Sequence, residues 1–210
     1  MYRQPTLLDC CNDKRLKIVR GDVRNTELVK KIVAKEKPDF VFPLAAIVGA
    51  PACDLDPTAA RTTNLDAIRV MLQLAGHTKI IFPNTNSGYG IGQTNIFCDE
   101  TTPLNPISLY GQHKVGAETA VLQRGDSIVL RLATVFGASP RMRLDLLVND
   151  MTYKAVTDGY VILFEAHAKR NFIHVRDVAK AFLHCMNNFD SMKNEAYNVG
   201  RSDANLSKWE

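Results

Sequence analysis

Short apolar runs alternate with segments of helical periodicity along most of the chain. The runs that have the length of a buried strand are residues 16–19, 40–46, 79–83 and 128–132. The segments between them carry apolar residues every three or four positions, as one face of a helix does. These helical segments are 26–33, 57–76 and 107–122. Continuous apolar strands separated by amphipathic helices are typical of parallel βαβ units, so we predict an α/β fold with a Rossmann-like, doubly wound parallel sheet.

The alternation becomes less regular after Gly137. The pattern there predicts a helix near 144–157, strands at 161–164 and 172–175, and a helix at about 177–188. We therefore expect two regions, with residues 1–137 forming the sheet and residues 138–210 forming a smaller region interleaved with the last strands. The smaller region should cover the carboxyl edge of the sheet, where doubly wound folds bind their ligands.

Composition and charge narrow the class of protein. The chain is 46% hydrophobic and 23% charged, with 26 Lys and Arg against 22 Asp and Glu and no basic block, so nucleic acid is not an expected partner. No apolar run reaches the roughly 20 residues of a membrane helix, and the first residues lack a secretory signal. Five cysteines without a Cys-x-x-Cys pair, and histidines without ligand spacing, predict neither disulfides nor a metal site. We expect a cytoplasmic protein.

Tyr110 and Lys114 form the motif with the clearest chemistry. They lie four residues apart in the helical segment 107–122, which places them on one helix face that Ala117 and Val121 continue. A cation beside a phenol favours the phenolate and lowers the pKa of the tyrosine, which can then take a proton from a substrate hydroxyl. The same spacing also occurs by chance on surface helices, so the pair alone does not decide the function.

Polar residues follow the predicted strand 79–83. Thr85 or Ser87 could hydrogen-bond a substrate oxygen, because the carboxyl ends of parallel strands border the ligand crevice. Alternatively, the segment is a polar turn that uses Gly88 and Gly90 for their backbone freedom. Further along, Arg170 could face an anion such as a phosphate, or could make a surface ion pair.

Together these motifs resemble one known family. In chain order they are Gly21-Asp22-Val23, Leu44-Ala45-Ala46, Asn84-Thr85-Asn86-Ser87-Gly88-Tyr89-Gly90, the Tyr110 and Lys114 pair, Leu130-Arg131-Leu132, Val135-Phe136-Gly137, residues 170–177, and Tyr197-Asn198-Val199-Gly200. Their order resembles that of the extended short-chain dehydrogenase/reductase family, in its NAD-dependent nucleotide-sugar epimerase/dehydratase branch. The resemblance covers nearly the whole chain. It implies that residues 1–137 form a partial NAD-binding domain with the catalytic residues and that residues 138–210 form a partial substrate-binding region.

The resemblance implies roles for individual residues. Tyr110 would be the general base, Lys114 would hold the nicotinamide ribose and tune the tyrosine, and Thr85 matches the active-site Ser/Thr. The expected cofactor contacts are Asp22, Val23, Ala45, Ala46, Tyr110 and Lys114. The expected substrate contacts are Thr85, Asn86, Ser87, Thr134 and Arg170, with Arg170 facing the diphosphate. Asn64 matches a recurrent buried Asn, for which tying the backbone together is an equally good explanation. The cofactor is expected to be NAD, with NADP as the alternative.

The implied reaction is oxidation of a sugar hydroxyl to a transient keto-sugar, followed by its reduction. A 4,6-dehydratase would carry Asp-Glu directly after Thr85, where this chain has Asn86 and Ser87. We therefore favour an epimerase acting on a nucleotide sugar, with a keto-sugar reductase or a dehydratase as alternatives. A catalytically inactive binding or scaffold protein is the alternative from another class.

One family signature is absent from the sequence. The family has a Gly-x-x-Gly-x-x-Gly turn between its first strand and first helix, and this chain has none. The run 16–19 matches the third strand, so we expect a fragment that lacks strands one and two and that binds NAD weakly by itself. Ser207-Lys-Trp-Glu210 has the pattern of a capping box, which opens a helix. The full-length parent is expected to be a homodimer.

Overall fold

A computed structural model describes residues 13–91, 97–140 and 142–210. These residues form two compact units, which are described separately. The larger unit comprises the described part of 21–133 together with 181–199, and the smaller comprises the described part of 13–20, 134–180 and 200–210. The first of the two segments that form the larger unit ends at Ala133, and the second is residues 181–199. The predicted roles of the regions 1–137 and 138–210 stay predictions.

The larger unit is built on a parallel sheet of four strands. They are β1 (Phe40–Val41), β2 (Lys79–Thr85), β3 (Ser127–Leu132) and β6 (Glu195–Val199), in the order β1-β2-β3-β6. The register places Ile81 beside Ile128, and Leu130 beside Tyr197. The predicted strands 79–83 and 128–132 are therefore confirmed, and so is the α/β class.

Helices follow the predicted periodicity. The larger unit contains α1 (Thr26–Glu36), α2 (Ala50–Leu55), α3 (Pro57–Arg61), α4 (Ala67–Leu74), α5 (Leu109–Arg124) and α8 (Phe189–Met192). The predicted segment 57–76 is interrupted, because a π-helical turn (Thr62–Asp66) lies between α3 and α4. Asn25 is the N-cap of α1, since its Oδ1 accepts the backbone N–H of Leu28 at 3.0 Å.

Both faces of the sheet are covered. Ile80 and Phe82 of β2 and Val129 of β3 pack against α4 and α5. Alternate residues point to the other face, where Ile81 and Leu130 pack against residues of α8 and of the preceding helix. That helix is α7 (Val175–Asn187), and its residues Cys185 and Met186 belong to this second core. Packing on both faces confirms the doubly wound arrangement.

The prediction of a strand at residues 16–19 is wrong. These residues have no regular secondary structure, and Ile18 and Val19 are about half exposed. Within the described residues, β1 is an edge strand that pairs with β2 alone, and only two residues of the predicted run 40–46 lie in the ladder. A strand persists only when its N–H and C=O groups find a neighbour, and the described part of the chain supplies none for residues 16–19.

The smaller unit contains a three-stranded sheet in the order β4-β5-β7. Its strands are β4 (Thr134–Phe136), β5 (Arg170–His174) and β7 (Asn205–Leu206), and its helices include α6 (Leu147–Thr157). The strand predicted at 161–164 is wrong, because these residues are irregular and Ile162 and Phe164 are largely exposed. The backbone N–H of Ser207 donates to the Glu210 carboxylate at 3.0 Å, which is one half of a capping box.

Candidate active site

Helix α5 carries the predicted catalytic pair. It begins after Ser108, whose Oγ accepts the backbone N–H of Gly111 at 3.1 Å. Tyr110 lies in the first turn and is half-buried, and Lys114 lies one turn later. Gly111 allows the close approach of this turn to the next segment, because a Cβ atom there would lie 3.3 Å from the Ser87 carbonyl oxygen. The start of α5 therefore lies directly against the segment that follows β2.

Lys114 is a buried cation. Its side chain is 4% exposed, and its Nζ donates to the carbonyl oxygen of Pro83 at 2.5 Å. The same Nζ lies 3.9 Å from the centre of the Phe82 ring, within the range of a cation–π contact. Burial lowers the pKa of Lys114 to about 7, and the negative charge of Glu118 opposes this effect. The ammonium can thus lose or regain its proton near neutral pH.

Thr85 is the last residue of β2, two positions after the carbonyl that Lys114 contacts. Its Oγ1 accepts the backbone N–H of Ser87 at 3.2 Å and lies 3.1 Å from the Ser87 hydroxyl. These bonds begin a 3₁₀ turn (Asn86–Tyr89). The structure therefore brings the Thr85 to Ser87 segment, Tyr110 and Lys114 to one end of β2.

The glycines of this segment have the structural role that was the alternative interpretation. Gly90 has a φ of +73°, and a Cβ atom there would lie 2.1 Å from the carbonyl oxygen of Asn105. At Gly88, a Cβ atom would lie 3.1 Å from the Val115 side chain of α5. Both glycines let the turn pack closely, and this does not compete with a role for the hydroxyl groups.

A buried polar cluster, which the sequence motifs did not predict as a site, lies between α5 and the sheet. Glu118 and Arg131 form an ion pair of 2.6 Å with side chains 3% and 7% exposed. Asn84 Nδ2 also donates to the Glu118 carboxylate. Arg131 continues the cluster by donating to the Tyr89 hydroxyl at 2.7 Å, and that hydroxyl donates to Asn198 Oδ1 at 2.8 Å. One signal was available, because Glu118 lies four residues after Lys114 on the helix face of the catalytic pair.

The Oδ1 atom of Asn84 is buried and has no hydrogen-bond partner among the described residues. Burial raises the pKa of Tyr89, whereas the hydrogen bond from Arg131 acts in the opposite direction. Tyr89 therefore stays protonated at neutral pH and can serve the cluster as a hydrogen-bond donor.

Asp22 and Val23 lie at a separate groove of about 510 Å³. It is lined by Asp22, Val23, Arg24, Asn25, Thr62, Asp66, Ala67 and Val70. Hydrogen bonds from Arg24 lower the pKa of Asp22 to about 2, and the Arg24 Nη2 lies 2.6 Å from its carboxylate. The groove therefore presents a carboxylate that is ionised at neutral pH.

Ala45 and Ala46 lie in the irregular segment after β1, where Ala45 is exposed and Ala46 is half-buried. Asn64 fixes the end of this segment, because its amide group accepts the N–H of Ile47 and donates to the carbonyl of Ile47, both at 2.8 Å. Asn64 is 1% exposed. The structure thus confirms that Asn64 ties backbone together, which was one of the two explanations.

Thr134 and Arg170 belong to the smaller unit. Thr134 begins β4 and lies beside Phe172, while Arg170 begins β5 beside Leu206 and is exposed. They lie on neighbouring strands of one sheet, and their predicted contacts with substrate stay predictions. Among residues 13–91, 97–140 and 142–210, no group of three or more His, Cys, Asp or Glu side chains could hold a metal ion. No helix in these ranges is long and apolar enough to cross a membrane.

Comparison with known proteins identifies relatives along nearly the whole chain. UDP-glucose 4-epimerase from Lactobacillus helveticus is 26% identical, over 90% of this chain and 64% of its own length. dTDP-D-glucose 4,6-dehydratase from Mus musculus is 24% identical, over 90% of this chain and 54% of its own length. The structure of UDP-glucose 4-epimerase from Thermotoga maritima, determined with UDP-glucose, superimposes with a TM-score of 0.75 and 25% identity, covering 87% of this chain and 62% of that one.

The chain therefore spans less than two thirds of the length of these relatives. The sequence profile of the NAD dependent epimerase/dehydratase family matches residues 2–200, which is most of the 210 residues. A match of this extent, with the fold and the Tyr110 and Lys114 helix in place, means that the chain belongs to the NAD dependent epimerase/dehydratase family.

Proposed function

We propose that the chain carries the catalytic residues of an NAD-dependent epimerase acting on a nucleotide sugar. Tyr110 and Lys114 are the main support, because they occupy one face of α5 whose first turn packs on the Thr85 to Ser87 segment. Asn86 and Ser87 favour an epimerase over a dehydratase, since neither can supply the acid and base that loss of water needs. The relatives include both epimerases and a dehydratase, so this choice rests on the two residues.

The residues present fit a dinucleotide cofactor. An ammonium group has three N–H donors, and the Pro83 carbonyl takes one of those of Lys114. The others can donate to the hydroxyls of a ribose beside Tyr110. Asp22, whose pKa is lowered to about 2, can accept a hydrogen bond from the amine of an adenine at the 510 Å³ groove. Ala45 and Ala46 have small side chains that would let a cofactor lie along the segment after β1. The chemistry supplied by a bound NAD is reversible hydride acceptance.

Tyr110 performs the proton transfer in this proposal. As a phenolate it takes the proton of a sugar hydroxyl while the carbon loses a hydride, which leaves a keto-sugar. Lys114 in its charged form favours the phenolate, because an adjacent cation lowers the pKa of a phenol. Thr85 donates a hydrogen bond to the same sugar oxygen and orients it. Tyr110 would give the proton back to the sugar oxygen when the carbonyl regains a hydride on its opposite face, and the carbon would then be inverted.

The remaining assignments concern the substrate and the assembly. Arg170 is proposed to contact the diphosphate of the nucleotide, since a guanidinium donates two parallel hydrogen bonds to a phosphate. Asn86, Ser87 and Thr134 are proposed to contact the sugar. The functional protein is proposed to be a cytoplasmic homodimer that uses NAD, with NADP as the alternative cofactor.

The experiment is a conversion assay on the chain with UDP-, CDP- and dTDP-sugars. NAD is supplied at millimolar concentration, because the sequence contains no Gly-x-x-Gly-x-x-Gly turn to hold its diphosphate, and products are identified by ¹H NMR. We expect an epimerised sugar without net change in NADH. Tyr110→Phe should lower the rate by about 100-fold or more, whereas Tyr153→Phe, an exposed tyrosine on α6, should not.

Two outcomes would contradict the proposal. Net consumption of NADPH with a keto-sugar, in the absence of epimerisation, would identify a reductase. Absence of turnover with every sugar, in a sample that is folded and saturated with NAD, would favour the inactive binding protein.

A further inference from the structure

Glu118 is a buried carboxylate without a role in the proposed mechanism. It is 3% exposed and lies on α5, one turn after Lys114. Moving a carboxylate out of water costs several kcal/mol unless it is paired and hydrogen-bonded. The stability of the folded protein therefore depends on the groups that pair with the Glu118 carboxylate.

Two neighbours fix the position of the carboxylate. Arg131 donates to it through Nη2 at 2.6 Å and through Nε at 3.2 Å. Asn84 donates to its other oxygen. Arg131 is itself held in place, because its Nη1 donates to the Tyr89 hydroxyl at 2.7 Å and to the Glu100 carbonyl at 3.1 Å. The negative charge cannot turn away from α5 without breaking this set of bonds.

Lys114 and Glu118 lie four residues apart, so their side chains are neighbours on the helix face. Both side chains are buried. They contact neighbouring residues of β2, because Lys114 donates to the Pro83 carbonyl and Glu118 accepts a hydrogen bond from Asn84, the next residue. Burial favours the neutral form of Lys114, and the carboxylate of Glu118 opposes it. In a site of low dielectric this opposition is strong.

The other charged groups of the surrounding elements either interact with other residues or disfavour the charged form of Lys114. Arg131 on β3 is a cation and repels it. Lys79 lies at the opposite end of β2, where it is within 3.5 Å of Asp190. The remaining titratable groups of α5 and its neighbours in the larger unit are Tyr110, His113 and Arg124 on α5, Tyr89 in the 3₁₀ turn, Cys53 and Asp54 on α2, Arg61 on α3, Asp66 in the π-helical turn, and Arg69 on α4. Arg124 lies at the far end of α5, where it donates to the carbonyl of Thr78 at 2.9 Å. Arg61 and Asp66 interact with His113 on another side of the helix.

We propose that Glu118 is a positioning residue for the catalytic pair: its carboxylate, fixed by Arg131 and Asn84, keeps the ammonium of Lys114 charged beside Tyr110. The importance of this charge for catalysis rests on the proposed function. The charge effect itself does not, because it depends on buried side chains that are present without cofactor or substrate.

The test is a pH titration of Lys114 in the cofactor-free protein, followed by NMR of ¹³Cε-labelled lysine. The Lys114 signal is assigned by its absence from the spectrum of Lys114→Met. Glu118→Gln keeps the size of the side chain and removes its charge, so the titration midpoint of Lys114 should fall by about one pH unit or more. Glu118→Asp keeps the charge and shortens the side chain, so its midpoint should stay closer to that of the wild type.

A merely structural role for Glu118 gives the opposite sign. If the substitution only loosened the interior, water would reach Lys114 and its midpoint would rise toward the usual value of about 10.4. A midpoint that rises or does not move in Glu118→Gln therefore overturns the proposal. Should this variant fail to fold, Glu118→Asp provides the second measurement. Its shorter side chain draws the carboxylate away from the ammonium, so the midpoint should fall by less than about one pH unit below the wild-type value, and a rise in Glu118→Asp overturns the proposal.

The two proposals can fail separately. A downward shift in Glu118→Gln without any epimerase activity of the wild type would support the charge effect and contradict the proposed reaction. Epimerase activity with an unchanged Lys114 midpoint would contradict the role of Glu118 alone.

Discussion

Two arginine–carboxylate pairs of the larger unit have the same length and very different surroundings. Arg131–Glu118 and Arg24–Asp22 both have an N–O distance of 2.6 Å. The side chains of the first pair are 7% and 3% exposed, whereas those of the second are 47% and 49% exposed. An exposed pair gains little, because water competes for both ions and salt screens them. The N–O distance therefore does not distinguish the effects of the two pairs on stability, whereas the degree to which each pair is removed from water does.

The largest test of this contrast removes one partner of the buried pair. Glu118→Ala leaves the Arg131 guanidinium buried without its counter-ion, which should lower the free energy of unfolding by about 3–5 kcal/mol. Urea denaturation followed by far-UV circular dichroism measures the loss. The matched control is Asp22→Ala, which should leave the denaturation midpoint within experimental error. Equal effects of the two substitutions would mean that burial does not distinguish the pairs.

The contrast also explains how far the sequence could be interpreted. Periodicity predicted α1, α5, β2 and β3, because an apolar face is a local property of the chain. It failed for residues 16–19, since a strand depends on a neighbour that the described residues lack. Periodicity also failed at 161–164, where a short apolar run lies exposed outside any ladder.

The candidate site divides in the same way. Tyr110 and Lys114 were predictable because their chemistry depends on spacing within one helix. The pairing of Glu118 with Arg131 was not, since it joins α5 to β3 and depends on which residues of the strand face the helix. The bonds of Asn64 in the π-helical turn to the Ile47 backbone were equally hidden, because they join residues that lie far apart in the sequence.

A second prediction uses the pH dependence of stability to examine a buried charge. The pKa of Lys114 is lowered to about 7 in the folded protein, whereas an unfolded chain has the usual value of about 10.4. Between these values the unfolded state binds more protons, so stability rises with pH. The wild type should gain about 2 kcal/mol relative to Lys114→Met between pH 7 and pH 9.

The control for this measurement is Lys154→Met, which replaces an exposed lysine of α6 that pairs with Asp150 at 2.9 Å. It should keep the pH dependence of the wild type. If the free energy of unfolding had the same pH dependence in the wild type and in Lys114→Met, Lys114 would have the same pKa in the folded and unfolded states. Its burial would then have no effect on its pKa.

A third prediction concerns Asn64, a buried side chain that is polar but uncharged. Asn64→Ala removes both hydrogen bonds to Ile47 and leaves the partly buried N–H and C=O of Ile47 without side-chain partners, which should cost about 1–2 kcal/mol. The measurement is again urea denaturation. Asn188→Ala is the control, because this amide is exposed and, among the described residues, its side chain bonds to His184, one turn earlier on α7. A loss as large as that of Glu118→Ala would show that burial of a polar group matters more than its charge.

The smallest expected effect concerns the exposed pair itself. Hydrogen bonds from Arg24 lower the pKa of Asp22 to about 2 from a usual value near 3.8. Because the folded-state pKa is the lower one, any stability from this pair is present above about pH 3.8 and is lost as the pH falls through 2. We expect a ¹³C carboxylate titration of Asp22 to have its midpoint near 2 at low salt.

In Arg24→Gln the midpoint of Asp22 should return toward the usual value. A salt concentration of 1 M should move it in the same direction, since the screening length is then only about 3 Å. The denaturation midpoint at pH 7 should not move in either case. A midpoint that is insensitive to both salt and Arg24→Gln would mean that Arg24 does not set the pKa of Asp22, and this pair could then not represent the exposed half of the contrast with Arg131–Glu118.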